Sequence, residues 1–424
     1  MALHEKSDGI FGTNVSWRDI EEELQTELHT CAHFGPNKKA TNIGDMKGFM
    51  SRVCLIEPDW QGEDIEHLPQ KFIAKISSAL AFMELMKAME DNVGLKFMDD
   101  SKVHAWNQIT REFHNREVAM YKTLTKANHP HIAYTKTYAS KAYTEQNQTH
   151  GFIILEYKEN SHTVQLYENV PLDQVDKILR SIAAITSLGE SLPAEELSFL
   201  PDADFNTRMM DIFFGDSSAE QKAATVKNSL PETHKEQEEE CSKVFEFYAN
   251  RDVYSKFGKL EKYFKIKKSL VHADLWTSNI LFERIDKDLN LRAIIDYQTV
   301  CWGNPAQDLC RFLISCTSGP DRREHTEELL EKFYGYLIEE LDGREAPYTL
   351  QQLKDSYNLF FPLAAFFILP AIGNLKKQWM AASTENAEEI LKASNEKTVF
   401  MAEDILRLHK DNLTQFEDFF NSDF

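Results

Sequence analysis

The sequence predicts an α+β fold of two lobes, a strand-rich one over residues 1–160 and a larger helical one over 161–424. Three observations predict it. Before residue 160, "GFMSRVCLIEP", "KFIAKIS" and "GFIILEY" have strand character, while Arg111 to Thr125 repeats its apolar residues at helical spacing. After residue 170 helical periodicity dominates. Inside that helical half, "NILFERID" and "LNLRAIID" read as two strands flanking a polar turn near Lys287 and Asp288.

Taken in order, the first elements already carry candidate chemistry. Gly44 and Gly48 in "TNIGDMKGFMSRV" precede the first strand; they let backbone amides approach phosphates, or they only make a turn. In "KFIAKIS", alternation puts Lys75 on the same face as Ile73. On the helix, Phe113, Glu117, Met120 and Leu124 fall within one narrow arc. An acid on an apolar stripe is costly without a partner, and Lys75 is the obvious one. The plainer alternative has Lys75 reaching solvent at a strand end and Glu117 at the edge of a groove.

Further on, "DQVDKILRSIAAITSLGE" predicts an amphipathic helix ending at Gly189, and the charged stretch from Ser217 to Lys259 predicts long solvent-facing helices around Pro231. The 14-residue apolar run Leu359 to Ile372 contains Pro362 and Pro370. It is too short to span a bilayer and predicts a buried, kinked helix.

Composition narrows the function classes. Asp and Glu outnumber Lys and Arg by 68 to 47, so a nucleic acid or an anionic membrane surface is repelled by the chain as a whole. A nucleotide is still compatible, because a local lysine or magnesium ion offsets phosphate charge. The six cysteines are scattered without a C-x-x-C pair, which argues against a zinc site and a disulfide framework. The opening "MALHEKSDGIFGTN" has no apolar core like that of a signal peptide. The expectation is a cytoplasmic protein without membrane insertion.

The stretch "KKSLVHADLWTSNILFE" places His272, Asp274, Thr277, Ser278 and Asn279 between apolar flanks. An antiparallel hairpin centred between Lys287 and Asp288 would set Asn279 opposite Asp296, with Cβ atoms roughly 5 Å apart. Asp274, Asn279 and Asp296 then supply two carboxylates and an amide oxygen, the hard ligands that magnesium accepts alongside substrate phosphates. The remaining acid, Asp274, can then accept a proton from an attacking hydroxyl. Asp and Asn are also ordinary turn formers, so a capped loop is the structural alternative.

"HADLWTSNILF" followed by "IIDYQTVCWGNPAQDL" resembles the catalytic and metal-binding segments of the aminoglycoside phosphotransferase and choline kinase-like small-molecule kinases. The Asp-Leu-Trp at 274–276 looks closest to the ecdysteroid-kinase-like, or CHK kinase-like, group. The resemblance implies a bilobal protein-kinase-like fold, and transfer of the ATP γ-phosphate to a hydroxyl of a steroid-like, choline-like or other small molecule. It implies that Asp274 is the catalytic base, that Asn279 and Asp296 bind Mg2+, and that His272 supports the loop. "FHNREVAMY" looks like the family's F-x-x-x-E-x-x-x-Y helix, which makes Glu117 the residue that orients Lys75 on the phosphates. "GFIILEYKEN" fits the hinge strand, where the backbone at Glu156 and Tyr157 would meet adenine. Asp308 matches an Asp that braces the catalytic loop, though a helix-start acid explains it equally. Ala273 departs from the family's usual glycine between His and Asp. Two rivals remain: a kinase-fold binding protein without catalysis, and a metallohydrolase built on His272 and Asp274.

Overall fold

In the strand Phe72–Ser77, Phe72, Ala74 and Ile76 are buried on one face, which turns Ile73, Lys75 and Ser77 to the other. The structure, a computed structural model, describes residues 2–44, 50–93, 99–201, 205–215, 217–286 and 288–422. By its contacts the chain divides into two compact units: Met1–Asn128 with Tyr134–Asn160 and Ile295–Gln298, and His129–Ala133 with Ser161–Ile294 and Thr299–Phe424. The α+β architecture is the one the sequence predicts, with a strand-rich sheet region followed by a mainly helical C-terminal part.

The first unit contains α1 (Trp17–Glu27), β1 (Lys39–Asn42), β2 (Ser51–Glu57), β3 (Phe72–Ser77), α2 (Leu80–Val93), α3 (Asp100–Ala127), β4 (Thr137–Lys141) and β5 (Phe152–Glu156). These five strands form one antiparallel sheet in the order β1-β2-β3-β5-β4, beside a separate two-stranded ladder of His33–Phe34 with Trp60–Gln61, so β3 is central and Lys75 lies opposite both Val53 and Ile153. Ile20 and Leu24 of α1 join Phe72, Ala74, Ile76, Phe152 and Ile154 in one core cluster. Helix α1 went unnoticed in the sequence although its signal is there: Ser16 and Asp19 form a complete capping box. Helix α3 extends well beyond the expected Arg111–Thr125, because the Asp99 side chain caps it from the Lys102 N–H and Asn128 closes it in a left-handed conformation.

The second unit contains β6 (Ser161–Thr163), α4 (Leu172–Ser191), β7 (Ser269–Val271), β8 (Ile280–Ile285), β9 (Asp288–Ile294), β10 (Cys301–Gly303), α5 (Ala306–Cys316), α6 (Gly319–Leu341), α7 (Leu350–Ala382) and α8 (Ala387–Gln415), with shorter helices between α4 and β7. The charged stretch forms helices Ala219–Val226, Lys235–Tyr248 and Arg251–Phe257, shorter than expected, and Cys241, Val244, Phe245 and Tyr248 turn one face of the middle one inward. Gly189 does not end α4. It lies inside the helix, where a Cβ would come within 3.0 Å of Leu270 Cβ and the Trp302 ring, so glycine serves close packing against β7 and β10.

The predicted hairpin forms as β8–β9, but its register is not the predicted one. Pairing runs Ile285↔Asp288 to Phe282↔Leu291, shifts at a bulge between Leu281 and Phe282, and ends at Ile280↔Ile294. The cause is the turn: Asp286 adopts φ 54°, which aspartate tolerates, and this sets the connection one residue earlier than assumed.

Helix α7 is the one described helix long and apolar enough to cross a membrane, yet 72% of its most apolar window is buried within the protein. Pro362 cannot donate to the Asn358 carbonyl four residues back. Asn412 of α8 supplies the missing donor, with Nδ2 2.9 Å from Asn358 O. About four turns earlier in the same helix, Lys397 is buried and donates to the carbonyls of Leu166, Glu168 and Ser315 at 2.9, 2.7 and 2.7 Å, the last in the final turn of α5.

Replacing Asn412 by Leu leaves a buried carbonyl unpaired and should destabilise the fold by about 1–3 kcal/mol in chemical denaturation. In a Pro362→Ala background, where the helix regains its own N–H, the same substitution should cost less. Equal costs in the two backgrounds would show that Asn412 does not compensate for the proline.

Candidate functional site

Lys75 is central in the sheet of the first unit and buried. Its ammonium donates to Glu117 Oε1 and Oε2 at 2.8 and 2.6 Å and to Asp296 Oδ1 at 2.7 Å. Glu117 is 1% exposed on the stripe with Phe113, Met120 and Leu124, all buried. Burial alone would lower the Lys75 pKa; Asp296 and Glu117 outweigh it and push it up to about 12. Burial pushes the Glu117 carboxyl upward, Lys75 opposes this, and Asp296 adds to it. One cation faces two carboxylates, so the group carries an excess of negative charge. Asp296 is held at φ 66°, and the next residue, Tyr297, packs edge-on against Tyr121 of α3 with ring centroids 5.4 Å apart.

In the second unit the buried strand β7 delivers His272, Ala273 and Asp274 to a sharp turn. Asp308, in the first turn of α5, accepts the backbone N–H groups of His272 and Ala273, each at 2.7 Å. Burial pushes the Asp308 carboxyl up and the two N–H bonds pull it back. Ala273 has φ 66°, a left-handed conformation that costs an L-residue roughly 1–2 kcal/mol. Besides the Asp308 bonds, Arg311 Nη1 holds this turn through Ala273 O at 3.3 Å. The His272 carbonyl accepts from Thr299 Oγ1 at 2.8 Å. The Asp274 N–H donates to His272 Nδ1 at 3.3 Å, which fixes the remaining proton of a neutral ring on Nε2.

The Asp274 carboxylate is engaged by Arg311 Nη1 and, at 3.3 Å, by Asn279 Nδ2, which also donates to Asp274 O at 2.8 Å. The Arg311 guanidinium lies 4.7 Å over the Phe367 ring. Sequence reading missed Arg311. The signal was a lone charge inside the apolar run "LCRFLISC", which must find a partner once buried.

The oxygen donors expected for magnesium can be tested against these contacts. Asn279 spends its Nδ2 on Asp274, which leaves Oδ1 without a hydrogen-bond partner among the described residues, and Asp296 has only Oδ1 engaged. Both spare atoms are hard oxygens, the type Mg2+ selects. The other expected residues differ. The Gly44 N–H donates to Asn42 Oδ1 at 3.0 Å, and a Cβ there would crowd Val53 at 2.9 Å, so its glycine is needed for packing. Gly48 lies outside the described residues. The Glu156 N–H donates to Lys136 O at 2.8 Å, and Tyr157 is half-buried beyond the end of β5.

Comparison with known proteins gives a nematode relative and several solved structures. The chain is 23% identical over 362 residues to the Caenorhabditis elegans protein "Uncharacterized oxidoreductase dhs-27", covering 84% of this chain and 41% of that protein; it thus spans about two fifths of that relative's length. Among solved structures, a choline kinase from Cryptosporidium parvum is 11% identical, with 91% of this chain and 94% of that chain covered and a TM-score of 0.46. The GDP and kanamycin complex of APH(2")-IIia is 12% identical, with 89% and 97% covered and a TM-score of 0.45. A microcompartment-associated aminopropanol kinase is 13% identical, with 92% and 100% covered and a TM-score of 0.44. One family model matches residues 3–413, and on that match the chain belongs to the family DUF1679, described as "Uncharacterized oxidoreductase dhs-27".

Proposed function

We propose that this protein is an ATP- and Mg2+-dependent phosphotransferase acting on a hydroxyl of a small organic molecule. The observation that carries the reading is the buried ammonium of Lys75 held by Glu117 and Asp296, since such a lysine is poised to meet phosphate oxygens. The likeness of "HADLWTSNILF" and "IIDYQTV" to small-molecule kinase segments supports it. In this reading Lys75 binds the nucleotide phosphates, and Asn279 and Asp296 hold the magnesium ion. The ion's contribution is to neutralise phosphate charge. Asp274 orients the acceptor hydroxyl and takes its proton as the oxygen bonds to the γ-phosphorus and the bond to ADP breaks. Arg311 fixes the Asp274 carboxylate, and Asp308 fixes the backbone that presents it. Positioning and charge stabilisation supply most of the acceleration.

For the acceptor we propose a steroid or another lipophilic alcohol, supported by the resemblance at 274–276 to the ecdysteroid-kinase-like group. The six cysteines form no disulfide, which suits a reducing, cytoplasmic setting. The oxidoreductase description of the family has less support in this chain. A dinucleotide-binding domain is built on a parallel sheet, whereas every strand pair among the described residues is antiparallel. A second reading, a kinase-fold protein that binds without transferring phosphate, is favoured by the Ala273 methyl and by the engagement of Asp274 with Arg311.

A screen of γ-labelled ATP against a panel of hydroxylated metabolites separates these readings, with Asp274→Asn as the blank. That variant should lose turnover on the order of 10²-fold or more while still binding nucleotide. Asp296→Ala should abolish Mg2+-dependent ATP binding, measured by calorimetry with and without the metal. Full turnover in both variants would remove the assigned roles, and absence of transfer to every acceptor with nucleotide binding intact would favour the second reading.

A further inference from the structure

Among the described residues, one group of three His, Cys, Asp or Glu side chains brings its ligand atoms within 4.8 Å of one another: His129, His131 and Glu340. We propose that these three bind one divalent transition-metal ion of the zinc type. The proposal is independent of the phosphotransferase reading, since none of the three belongs to that site.

Both histidines come from the tripeptide His129-Pro130-His131, and their turn is anchored. Ile132 N–H bonds back to His129 O, Ala133 N–H to Ser181 Oγ of α4, and Ala133 O accepts from Ile294 of β9. Glu340 lies in the last turn of α6 with its side chain 7% exposed, and each of its oxygens already faces one ring: Oε2 is 3.2 Å from His129 Nε2 and Oε1 is 2.6 Å from His131 Nδ1. Ligand atoms on a tetrahedral zinc ion with bonds of about 2.0–2.1 Å stand roughly 3.3 Å apart, so the first separation fits and the second opens slightly. On metallation the His129 ring carries its proton on Nδ1, and the long 3.3 Å contact from the His131 N–H to that atom is given up.

The electrostatics of the position also ask for a cation. Glu339 and Glu340 stand at the negative end of the α6 dipole, and the last turn has no basic residue. Arg344 caps the helix end through the Glu340 backbone carbonyl at 3.2 Å and Arg180 pairs with Glu339 at 2.7 Å, so the Glu340 carboxylate itself is met by an arginine only at 3.5 Å, from Arg180. His131 is the most exposed of the three side chains, which leaves a fourth position open to water. Two imidazoles and one carboxylate select zinc, cobalt or nickel over magnesium or calcium.

The test is Co2+ titration of metal-stripped, tag-free protein in excess Mg2+, followed by Zn2+ displacement. One equivalent should give tetrahedral d–d absorption, displaced by Zn2+, with binding that strengthens as pH rises because the ligands must shed protons. Zn2+ should raise the melting temperature. His131→Ala and Glu340→Gln should each weaken binding by more than the roughly 10- to 100-fold that loss of a supporting group costs. Glu340→Gln is read in place of His131→Ala if the latter lowers the metal-free melting temperature. No stoichiometric binding in the wild type, or equal binding in the His129→Ala/His131→Ala/Glu340→Gln variant, overturns the proposal.

Discussion

A lysine ammonium taken out of water between two carboxylates is the constraint around which the first unit is arranged. Desolvating such a charge costs several kcal/mol unless partners meet it at good geometry. Lys75 can sit in the middle of a sheet only because α3 brings Glu117 over the same face and the chain later returns with Asp296. The apolar neighbours of Glu117 on α3 fix the height of that helix above β3. The edge-on contact between Tyr297 and Tyr121 secures the returning segment. Packing therefore determines electrostatics here: the positions of ordinary core side chains decide whether a buried charge is balanced.

In the second unit, backbone groups do comparable work. One carboxylate, Asp308, grips two successive N–H groups, and the turn that results projects Asp274 beyond the end of a buried strand. Alanine at the left-handed position adds strain, but it also narrows the conformations open to the unfolded loop relative to glycine. Arg311 then ties the projecting carboxylate and the Ala273 carbonyl to the helix that holds Asp308. The pair and the turn thus share one rigid support, α5.

Much of this was legible in the sequence, for identifiable reasons. Period-two alternation located Lys75, and a helical stripe interrupted by one acid located Glu117. Each is a local pattern that burial makes binding. The β8–β9 hairpin was legible as an element but not in its register, because a one-residue displacement of the turn and a bulge leave no mark on apolar periodicity. Gly189 was misread as a stop signal, since a glycine that ends a helix and one that admits a neighbouring strand look alike in one dimension. Asp308 was found by resemblance alone: whether an acid at a helix start accepts its own N–H groups or another segment's depends on tertiary placement. Arg311 was readable in principle, as a charge in an apolar run, but its partner lies 37 positions away.

The three carbonyls converging on Lys397 bear on how this architecture can vary among its relatives. They belong to the Leu166–Glu168 connection and to the last turn of α5, so a side chain near the end of the chain satisfies polar groups laid down far earlier. Helix α8 is therefore an internal part of the second unit. A shorter homologue, or one cut by design before α8, must find another donor for that pocket of oxygens or rebuild the connection that creates it.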